Sequence, residues 1–351
     1  MAEPSELPAP PALPAPLELP ALPEFPEFPE FPELPGVTHR TLRVAGRAMH
    51  VAEAGEGPLV LLLHGFPELW YSWRHQLTGL AAAGFRAVAP DLRGYGRTDS
   101  PAGADQYTIH HLVGDVVALI GALGERRAVL AGHDWGSQLA WHTALMRPDL
   151  VRGVAGMSIP YRPRPGLPPL PAMRRAMGER FYMLYFQEPG RAEAELGRDV
   201  PAGLVRLLAG TSGEAPAFDP AVPAGGGFLD LFPADARRPD WLTGADLAVY
   251  AGEFARTGFT GGLNWYRNLH RNWDLTAPLN RARIEPPALY LAGDHDFVVR
   301  DLDHARLADD LRLWAPGLRE ARILPGCGHW TQQERPDEVT AALVEFASAL
   351  D

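Results

Sequence analysis

The chain has 351 residues, 46% of them apolar, which is enough for a globular protein with a sizeable core. Its 43 acidic residues outnumber its 32 basic ones, and the resulting net charge of −11 argues against binding to nucleic acid or to an acidic membrane surface. All the basic residues are arginines, which excludes Schiff-base chemistry on lysine and a P-loop lysine, and the single cysteine excludes an intrachain disulfide.

Residues 1–36 differ in composition from the rest and hold 12 of the 36 prolines. Pro-Glu-Phe repeats at Pro23, Pro26 and Pro29, and Pro-Glu-Leu follows at Pro32. Proline at every third position favours an extended polyproline II chain, so we expect a tail that is disordered or lies along the surface. Docking of its aromatics on a partner is the alternative. This segment lacks the features of a secretory signal, and no run in the chain reaches the roughly 20 apolar residues of a membrane span, so we expect a cytoplasmic protein.

From Thr38 onward, predicted strands alternate with predicted helices. An opening pair of strands is expected at Thr41–Val44 and Met49–Ala54. Further short apolar runs, typical of strands that are covered on both faces, are Leu59–Leu63, Arg86–Pro90, Ala128–Ala131, Val151–Met157, Ala288–Leu291 and Ala321–Leu324. Helical periodicity is present in Leu112–Leu123, Ser137–Met146 and Glu338–Leu350. This alternation predicts an α/β fold, with a mostly parallel central sheet and helices on both of its faces.

The stretch from about Tyr161 to Trp273 interrupts this alternation and is too long for an ordinary connection. It is mostly helical in pattern and contains a Gly- and Pro-rich loop around Gly213–Gly227. We therefore predict three parts: a proline-rich tail (1–36), an α/β core (37–160 and 274–351), and a helical cap (161–273) inserted above the ends of the strands.

The motif Gly132-His133-Asp134-Trp135-Gly136 follows a predicted buried strand and precedes a predicted helix. Small residues two positions before and after a central residue are typical of a nucleophile elbow, the tight turn that projects one side chain into an active site. Here the central residue is Asp134. A carboxylate at a helix N-terminus suits displacement at a saturated carbon, whereas serine suits attack on a carbonyl. An Asp that merely caps the helix is the alternative.

Upstream, His64-Gly65-Phe66-Pro67 follows another predicted strand. A turn here can direct the Phe66 backbone N–H into the site beside that of Trp135, and two such donors would form an oxyanion hole. The same four residues could form only a turn, and for His64 a structural role is favoured over a catalytic one.

Two downstream segments supply an acid and a histidine. Gly293-Asp294-His295-Asp296 and Gly326-Cys327-Gly328-His329 each follow a strand, in the chain order expected after such a nucleophile. We predict that His329 takes a proton from water and that Asp296 holds its tautomer. Asp294 is the competing candidate for the acid. Nothing near Cys327 marks this residue as reactive.

Aromatic residues are dense in two parts of the predicted cap, Phe181–Gly190 and Asn264–Asn268. For Phe181, Tyr185 and Trp265, packing within the cap is favoured. Tyr185 and Trp265 nevertheless remain candidates for the substrate pocket, together with Trp330. Tyrosines that point down over Asp134 could donate hydrogen bonds to a leaving oxygen.

Taken together, these motifs resemble those of the epoxide hydrolases of the α/β-hydrolase fold, near the soluble vertebrate and plant enzymes. The resemblance runs from about Thr38 to the C-terminus. The motifs that carry it are His-Gly-Phe-Pro-Glu-x-Trp-Tyr-Ser-Trp-Arg (64–74), Gly-His-Asp-Trp-Gly (132–136), Tyr-x-Leu-Tyr-Phe-Gln-Glu-Pro-Gly (182–190), Asn-Trp-Tyr-Arg-Asn (264–268) and Gly-Cys-Gly-His-Trp (326–330). The chain departs from the family in its tail, which stands where vertebrate members have an extra N-terminal domain with phosphatase activity, and in Ser137, where relatives often carry glycine.

The resemblance implies an enzyme that converts an apolar epoxide and water into a vicinal diol through an ester on the nucleophile. It assigns the nucleophile to Asp134, the acid to Asp296 and the histidine to His329. It also implies two epoxide-activating tyrosines, Tyr182 and Tyr266, and an oxyanion hole at Phe66 and Trp135. It implies no metal or organic cofactor. The oligomeric state and the natural substrate stay open.

Three other functions compete with this interpretation. A haloalkane or haloacid dehalogenase would use the same Asp134, and Trp135 could bind its halide, but a leaving halide needs no proton, so the tyrosine pair favours the epoxide. A carboxylesterase is disfavoured because Asp stands where serine would be. A catalytically silent ligand-binding homologue is disfavoured by the complete set of Asp134, Asp296 and His329.

Overall fold

The sheet begins with two strands that the sequence pattern had placed, and both are longer than predicted. A computed structural model describes residues 31–350. Residues 1–30, which make up most of the predicted tail, lie outside the described residues. Within the described range the strands are β1 (Val37–Val44), β2 (Arg47–Ala54), β3 (Leu59–Leu63), β4 (Arg86–Pro90), β5 (Ala128–His133), β6 (Val151–Met157), β7 (Ala288–Gly293) and β8 (Leu318–Leu324).

These strands form one sheet in the order β1-β2-β4-β3-β5-β6-β7-β8. The pairs β1–β2 and β2–β4 are antiparallel, and every other neighbouring pair is parallel. The predicted mostly parallel sheet is confirmed. All five residues of β3 and all six of β5 are buried, as expected for apolar strands at the centre of a covered sheet.

Helices alternate with the strands, as predicted. Within residues 31–350 they are α1 (Arg74–Ala82), α2 (Ile109–Ala122), α3 (Trp135–Met146), α4 (Pro169–Met177), α5 (Tyr182–Tyr185), α6 (Arg191–Leu196), α7 (Val200–Gly210), α8 (Gly244–Thr257), α9 (Thr260–Arg267), α10 (Leu269–Leu275), α11 (His304–Arg312), α12 (Thr331–Glu334) and α13 (Pro336–Ser348). The pairs α1–α13 and α2–α3 pack together, and α1 and α3 contact central strands. In the described part of the chain, no helix combines the length and apolar character that a membrane crossing requires.

Helices α4 to α10 all lie in the connection between β6 and β7. This inserted helical segment covers most of the stretch predicted as a cap and belongs to the same compact unit as the sheet, so the division into a core and a cap stays a prediction. Its predicted loose loop is present: after α7 ends at Gly210, no further helix begins before a 3-10 turn at Phe228–Leu231.

The first described residues pack against the sheet. The Phe31 ring is stacked on His39 of β1, with ring centroids 5.0 Å apart, and meets Trp70 edge-on at 5.1 Å. The guanidinium of Arg97 lies 3.6 Å from the centre of the Phe31 ring. Phe31, the last Phe of the Pro-Glu-Phe repeat, therefore packs against β1 and the residues beside it.

Parallel strands end at a common edge of the sheet. Asp134 follows β5, Asp296 lies three residues after β7, and His329 lies five residues after β8. Phe66 lies three residues after β3, the neighbour of β5. The topology therefore brings the four predicted site segments to one edge.

Candidate active site

The turn between β5 and α3 has the geometry of a nucleophile elbow. Asp134 has φ +52°, in a region that side chains other than glycine rarely adopt. The turn closes tightly because both flanking positions lack a side chain: a Cβ on Gly132 would overlap the Gly136 carbonyl, and one on Gly136 would overlap the Leu63 carbonyl of β3. The strained turn holds the Asp134 side chain at the carboxyl end of the sheet, where α3 begins.

Two backbone amides hold the Asp134 carboxylate. The Phe66 N–H donates to Asp134 Oδ1 at 2.9 Å, and the Trp135 backbone also hydrogen-bonds this carboxylate. Gly65 is needed for the approach, since a Cβ there would overlap the Asp134 side chain. The two amides predicted to form an oxyanion hole therefore converge on the carboxyl group itself.

His329 lies between two carboxylates. Its Nε2 is 3.8 Å from Asp134 Oδ2, and its Nδ1 is 3.0 Å from Asp296 Oδ1. The Ser158 hydroxyl, 3.1 Å from the same Nδ1, is a further neighbour that the sequence did not reveal. Asp294, the competing acid, is directed elsewhere and accepts a hydrogen bond from the Gly326 amide at 2.7 Å.

The surroundings shift the pKa values of the two carboxylates, Asp134 and Asp296, in opposite directions. Burial raises the pKa of Asp134, although the neighbouring His329 and His133 and the two amides counteract that rise. Burial would also raise the pKa of Asp296, but the charge of His329 and the hydrogen bond to it outweigh burial and lower that pKa. Asp296 thus remains an anion that orients the imidazole.

Tyr182 on α5 and Tyr266 on α9 belong to the inserted segment, and both line the same two cavities as Asp134. Burial, and after it the charge of Asp134, raises the pKa of both phenols, so both keep their protons at neutral pH. Gln187 connects the two tyrosine segments: its Nε2 donates to the Met183 carbonyl at 2.9 Å and to the Tyr266 carbonyl at 3.0 Å. After Ser158, Gln187 is the second residue of the site that the sequence did not reveal.

Two cavities meet at Asp134, Tyr182, Tyr266 and Phe297. The inner cavity, of about 40 Å³, is mostly aromatic, and His329 and Trp330 line it. The outer cavity, of about 510 Å³, is mostly apolar. The residues that line it are Asp134, Trp135, Gln138, Ile159, Arg162, Met173, Met177, Phe181, Tyr182, Met183, Pro220, Tyr266, Leu269, Phe297, Val298 and Leu302.

Two of the residues predicted for the substrate pocket lie elsewhere. Trp265 is 1% exposed and its Nε1 donates to the Arg93 carbonyl at 3.1 Å, so it fastens the inserted segment to the body. The Tyr185 hydroxyl donates to Glu195 at 2.8 Å and its ring is covered by Arg191. Neither residue lines a cavity at Asp134 in the described part of the chain. The prediction of pocket contact was wrong for both, because each has a partner within or beneath the insertion.

Beneath the elbow lies a fully buried pair, Glu68 and His133. Both stand in the motifs noted above, but the sequence alone assigned no role to either. His133 Nδ1 is 2.7 Å from Glu68 Oε2, and its Nε2 is 2.7 Å from the His329 carbonyl. Burial alone would lower the pKa of His133, but the charge of Glu68 and the hydrogen bond to it raise that pKa to about 9. Glu68 also accepts from the Gly65 amide at 2.9 Å, so the pair joins the oxyanion-hole turn to the histidine loop.

The fold and this arrangement define a class, the α/β hydrolases. A family model described as alpha/beta hydrolase fold matches residues 58–336. Among curated relatives, Epoxide hydrolase A from Mycobacterium tuberculosis is 45% identical over 320 residues, covering 90% of this chain and 98% of the relative. Epoxide hydrolase 1 from Siraitia grosvenorii is 42% identical over 316 residues, covering 88% of this chain and 98% of the relative.

Solved structures give the same result. An epoxide hydrolase from an endophytic Streptomyces is 47% identical, with a TM-score of 0.86, and the match covers 90% of this chain and 96% of that one. Epoxide hydrolase VrEH1 from Vigna radiata is 41% identical, with a TM-score of 0.83 and coverage of 90% and 99%. The chain therefore belongs to the epoxide hydrolases of the α/β-hydrolase fold family. The predicted fold and enzyme class are both confirmed.

Proposed function

We propose that this epoxide hydrolase works through a covalent ester on Asp134 and that its substrates are small, mainly apolar epoxides. One observation carries the proposal: the elbow presents a carboxylate, and two protonated phenols line the same cavity. A carboxylate attacks a ring carbon, while a phenol supplies the proton that the opening ring oxygen needs. The mainly apolar outer cavity suits an apolar substrate.

In the first step, the epoxide oxygen accepts hydrogen bonds from Tyr182 and Tyr266. An Asp134 oxygen forms a bond to one ring carbon as the bond from that carbon to the ring oxygen breaks. The ring oxygen takes a proton from a phenol, which water later restores. The product of this step is a hydroxyalkyl ester of Asp134.

In the second step, His329 Nε2 removes a proton from a water molecule, which attacks the carboxyl carbon of Asp134. The Phe66 and Trp135 amides stabilise the resulting oxyanion, since both already donate to this carboxyl group. Asp296 keeps the Nδ1 proton of His329 in place and stabilises the imidazolium. The intermediate expels the diol alkoxide, which takes the proton from His329. The carboxylic acid left on Asp134 gives its proton, through water, to the phenolate formed in the first step, and this restores the starting state of the enzyme.

A dehalogenase would use the same Asp134 carboxylate but would expel a different leaving group. A halide leaves without taking a proton, so two protonated phenols that line the cavity at Asp134 favour an epoxide as the substrate. Comparing diol formation from an epoxide with halide release from a haloalkane of equal size separates the two activities. We expect diol formation to exceed halide release.

The decisive experiment is a single turnover in heavy-oxygen water with enzyme in excess. If the ester forms, the first diol carries ordinary oxygen from Asp134 and the heavy isotope appears in the protein. Heavy oxygen entering the first diol directly would overturn the ester route. His329→Gln should accumulate the ester, seen as added mass on the peptide that contains Asp134, and Asp134→Asn serves as the matched variant that cannot form it.

A further inference from the structure

Glu334 is the last residue of the short helix α12 and lies five residues after His329. Within the described part of the chain, its carboxylate accepts three hydrogen bonds, and all the donors are backbone amides. Oε2 accepts from Gly213 and from Gly328, both at 2.9 Å, and Oε1 accepts from Trp330 at 3.0 Å. Gly328 and Trp330 stand on either side of His329, so this one carboxylate holds the backbone before and after the imidazole.

The third amide, that of Gly213, belongs to the inserted segment and lies just beyond the end of α7. Here the insertion is interlocked with the loop that carries the histidine: a Cβ on Gly328 would overlap the backbone of Gly213, and one on Gly213 would overlap the Gly326 carbonyl. The His329 N–H donates to the Thr211 carbonyl at 2.9 Å, at the same place. The carboxylate therefore closes a junction between the end of α7 and the histidine.

The position of the imidazole depends on this backbone. His329 Nε2 lies 3.8 Å from Asp134 Oδ2, and its Nδ1 lies 3.0 Å from Asp296 Oδ1. Only two side-chain torsions separate the ring from its backbone, so a shift of the loop moves the ring relative to both carboxylates. A misplacement of about 1 Å costs a positioned group about 100-fold in rate. Glu334 lines neither of the two described cavities that meet at Asp134, so its route to the reaction is through His329.

We propose that Glu334 is a positioning residue for the second step of the reaction. Through its three amide contacts it holds His329 where Nε2 removes a proton from the water that attacks the Asp134 ester. This inference rests on the proposed function, because it assigns Glu334 to hydrolysis of that ester. Ester formation does not use His329 as a base, so the first step should depend far less on Glu334.

Glu334→Gln tests the assignment, because it keeps the shape of the side chain but replaces one acceptor oxygen with a donor. If the amide oxygen takes the place of Oε2, the Trp330 N–H loses its acceptor. If it takes the place of Oε1, the N–H groups of Gly328 and Gly213 lose theirs. Either orientation releases a neighbour of His329. We expect ester hydrolysis to slow roughly 10- to 100-fold and ester formation to change less than about threefold.

Rapid-quench single turnovers, with the mass of the peptide that contains Asp134 followed over time, give both rates at a pH where ester formation no longer rises. Glu334→Asp keeps the charge but is too short to reach all three amides, so it should slow ester hydrolysis as well. Glu338→Gln is the matched control, since Glu338 is an exposed residue of α13 and lies 3.6 Å from Arg335; both rates should equal those of the wild type. Thermal unfolding verifies that each variant is folded.

The outcomes separate this role from the proposed function. Ester hydrolysis at the wild-type rate in either folded variant of Glu334 would overturn the positioning role; if only Glu334→Asp kept that rate, the charge of the residue and not its reach would be what matters. Equal slowing of both steps would also overturn the role, because general damage to the fold does not distinguish between the steps. In each of these cases the ester route stands. Absence of an ester in the wild type would count against the proposed function and, with it, against this assignment.

Discussion

The choice of a carboxylate at the elbow creates a requirement that a serine would not have, because Asp134 must be ionised to attack. Its burial works against ionisation, and the two amides and His329 work for it. The net result is a raised pKa, so the nucleophile loses its charge at a higher pH than an exposed aspartate does. This residue therefore sets an acidic limit on the first step.

We predict that ester formation declines on acidification with an apparent pKa above the ordinary aspartate value of 3.8. The sign follows from the raised pKa: the anion attacks, so the rate is highest above this pKa and falls as the pH drops through it. Rapid-mixing measurements of ester formation by the wild type across the pH range give the value. His329→Gln is unsuitable here, because it removes a neighbour that favours the Asp134 anion and would itself raise the pKa being measured. A decline centred at or below 3.8 would contradict the raised pKa.

The two phenols should act in the first step alone. Tyr182→Phe and Tyr266→Phe should each slow ester formation roughly 10- to 100-fold, and the double variant by about 10²- to 10⁴-fold, the range typical of general acid catalysis. Hydrolysis of the ester should be unaffected, because His329 drives it. Phe preserves the aromatic packing of each ring, such as the Tyr182–Phe186 contact at 5.6 Å, so thermal unfolding serves as the control. Unchanged ester formation in the double variant would exclude both phenols from the step.

At the scale of the elements, the site consists of turns that follow separate strands, and these turns need a common support. The Glu68–His133 pair provides one beneath the elbow. Glu68 Oε1 also accepts from Gln332 at 2.9 Å and from Gln333 at 3.1 Å, so the carboxylate gathers groups from the β3, β5 and β8 ends of the sheet. A buried ion pair of this kind is costly to break, because the partner that remains is left without compensation.

We predict that Glu68→Gln lowers the free energy of unfolding by about 3–5 kcal/mol, the usual result of removing one member of a buried pair. The pH dependence should change as well. Because the pKa of His133 is raised from 6.5 to about 9 in the folded protein, its contribution to stability is complete below 6.5 and is lost as the pH rises through about 9. The wild type should therefore lose stability across that interval, whereas the variant should show less of this loss.

Chemical denaturation at several pH values across the interval measures both effects. The conservative variant Glu68→Asp keeps the charge and serves for comparison, because it should retain part of the pH dependence. An identical pH dependence of stability in wild type and Glu68→Gln would show that the ion pair is not its source.

The strand predictions were least accurate at the two edges of the sheet. β1 begins at Val37 rather than Thr41, and β8 begins at Leu318 rather than Ala321. Both are terminal strands in the sheet order, and their residues are largely exposed or half-buried. Edge strands carry polar residues at positions that a central strand fills with apolar ones, so the hydrophobic pattern used to find strands is weak there.

Residues of the site could be predicted from the sequence only where they stand in a recognisable local motif. Asp134 stands in a turn with a recognisable local pattern, and its position followed from the sequence. Ser158, Glu68 and Gln187 are polar residues whose partners lie far away in the chain, so their contacts exist only after folding. The same reason explains Trp265, whose partner is the distant Arg93 carbonyl.

At the scale of the whole molecule, the proposed chemistry is divided between two parts of the fold. The sheet edge supplies Asp134 and His329, and the inserted segment supplies the two tyrosines. The segment is held where α9 meets the loop after β4: a Cβ on Gly261 would overlap the Gly94 backbone, so the two backbones are in direct contact. Tyr266 lies on the same helix, which makes this contact a determinant of its position.

We predict that Gly261→Ala impairs ester formation while leaving hydrolysis of an ester that has already formed unchanged. The added methyl group forces α9 away from Gly94 and takes Tyr266 with it, and small displacements of positioned groups cost about 100-fold in rate. Gly252→Ala on α8 is the matched control: a Cβ there meets nothing within 4 Å, and the change should stabilise the helix by roughly 0.5–1 kcal/mol. If Gly261→Ala slowed both steps equally, or neither, seating of the insertion would not be what aligns the phenol with Asp134.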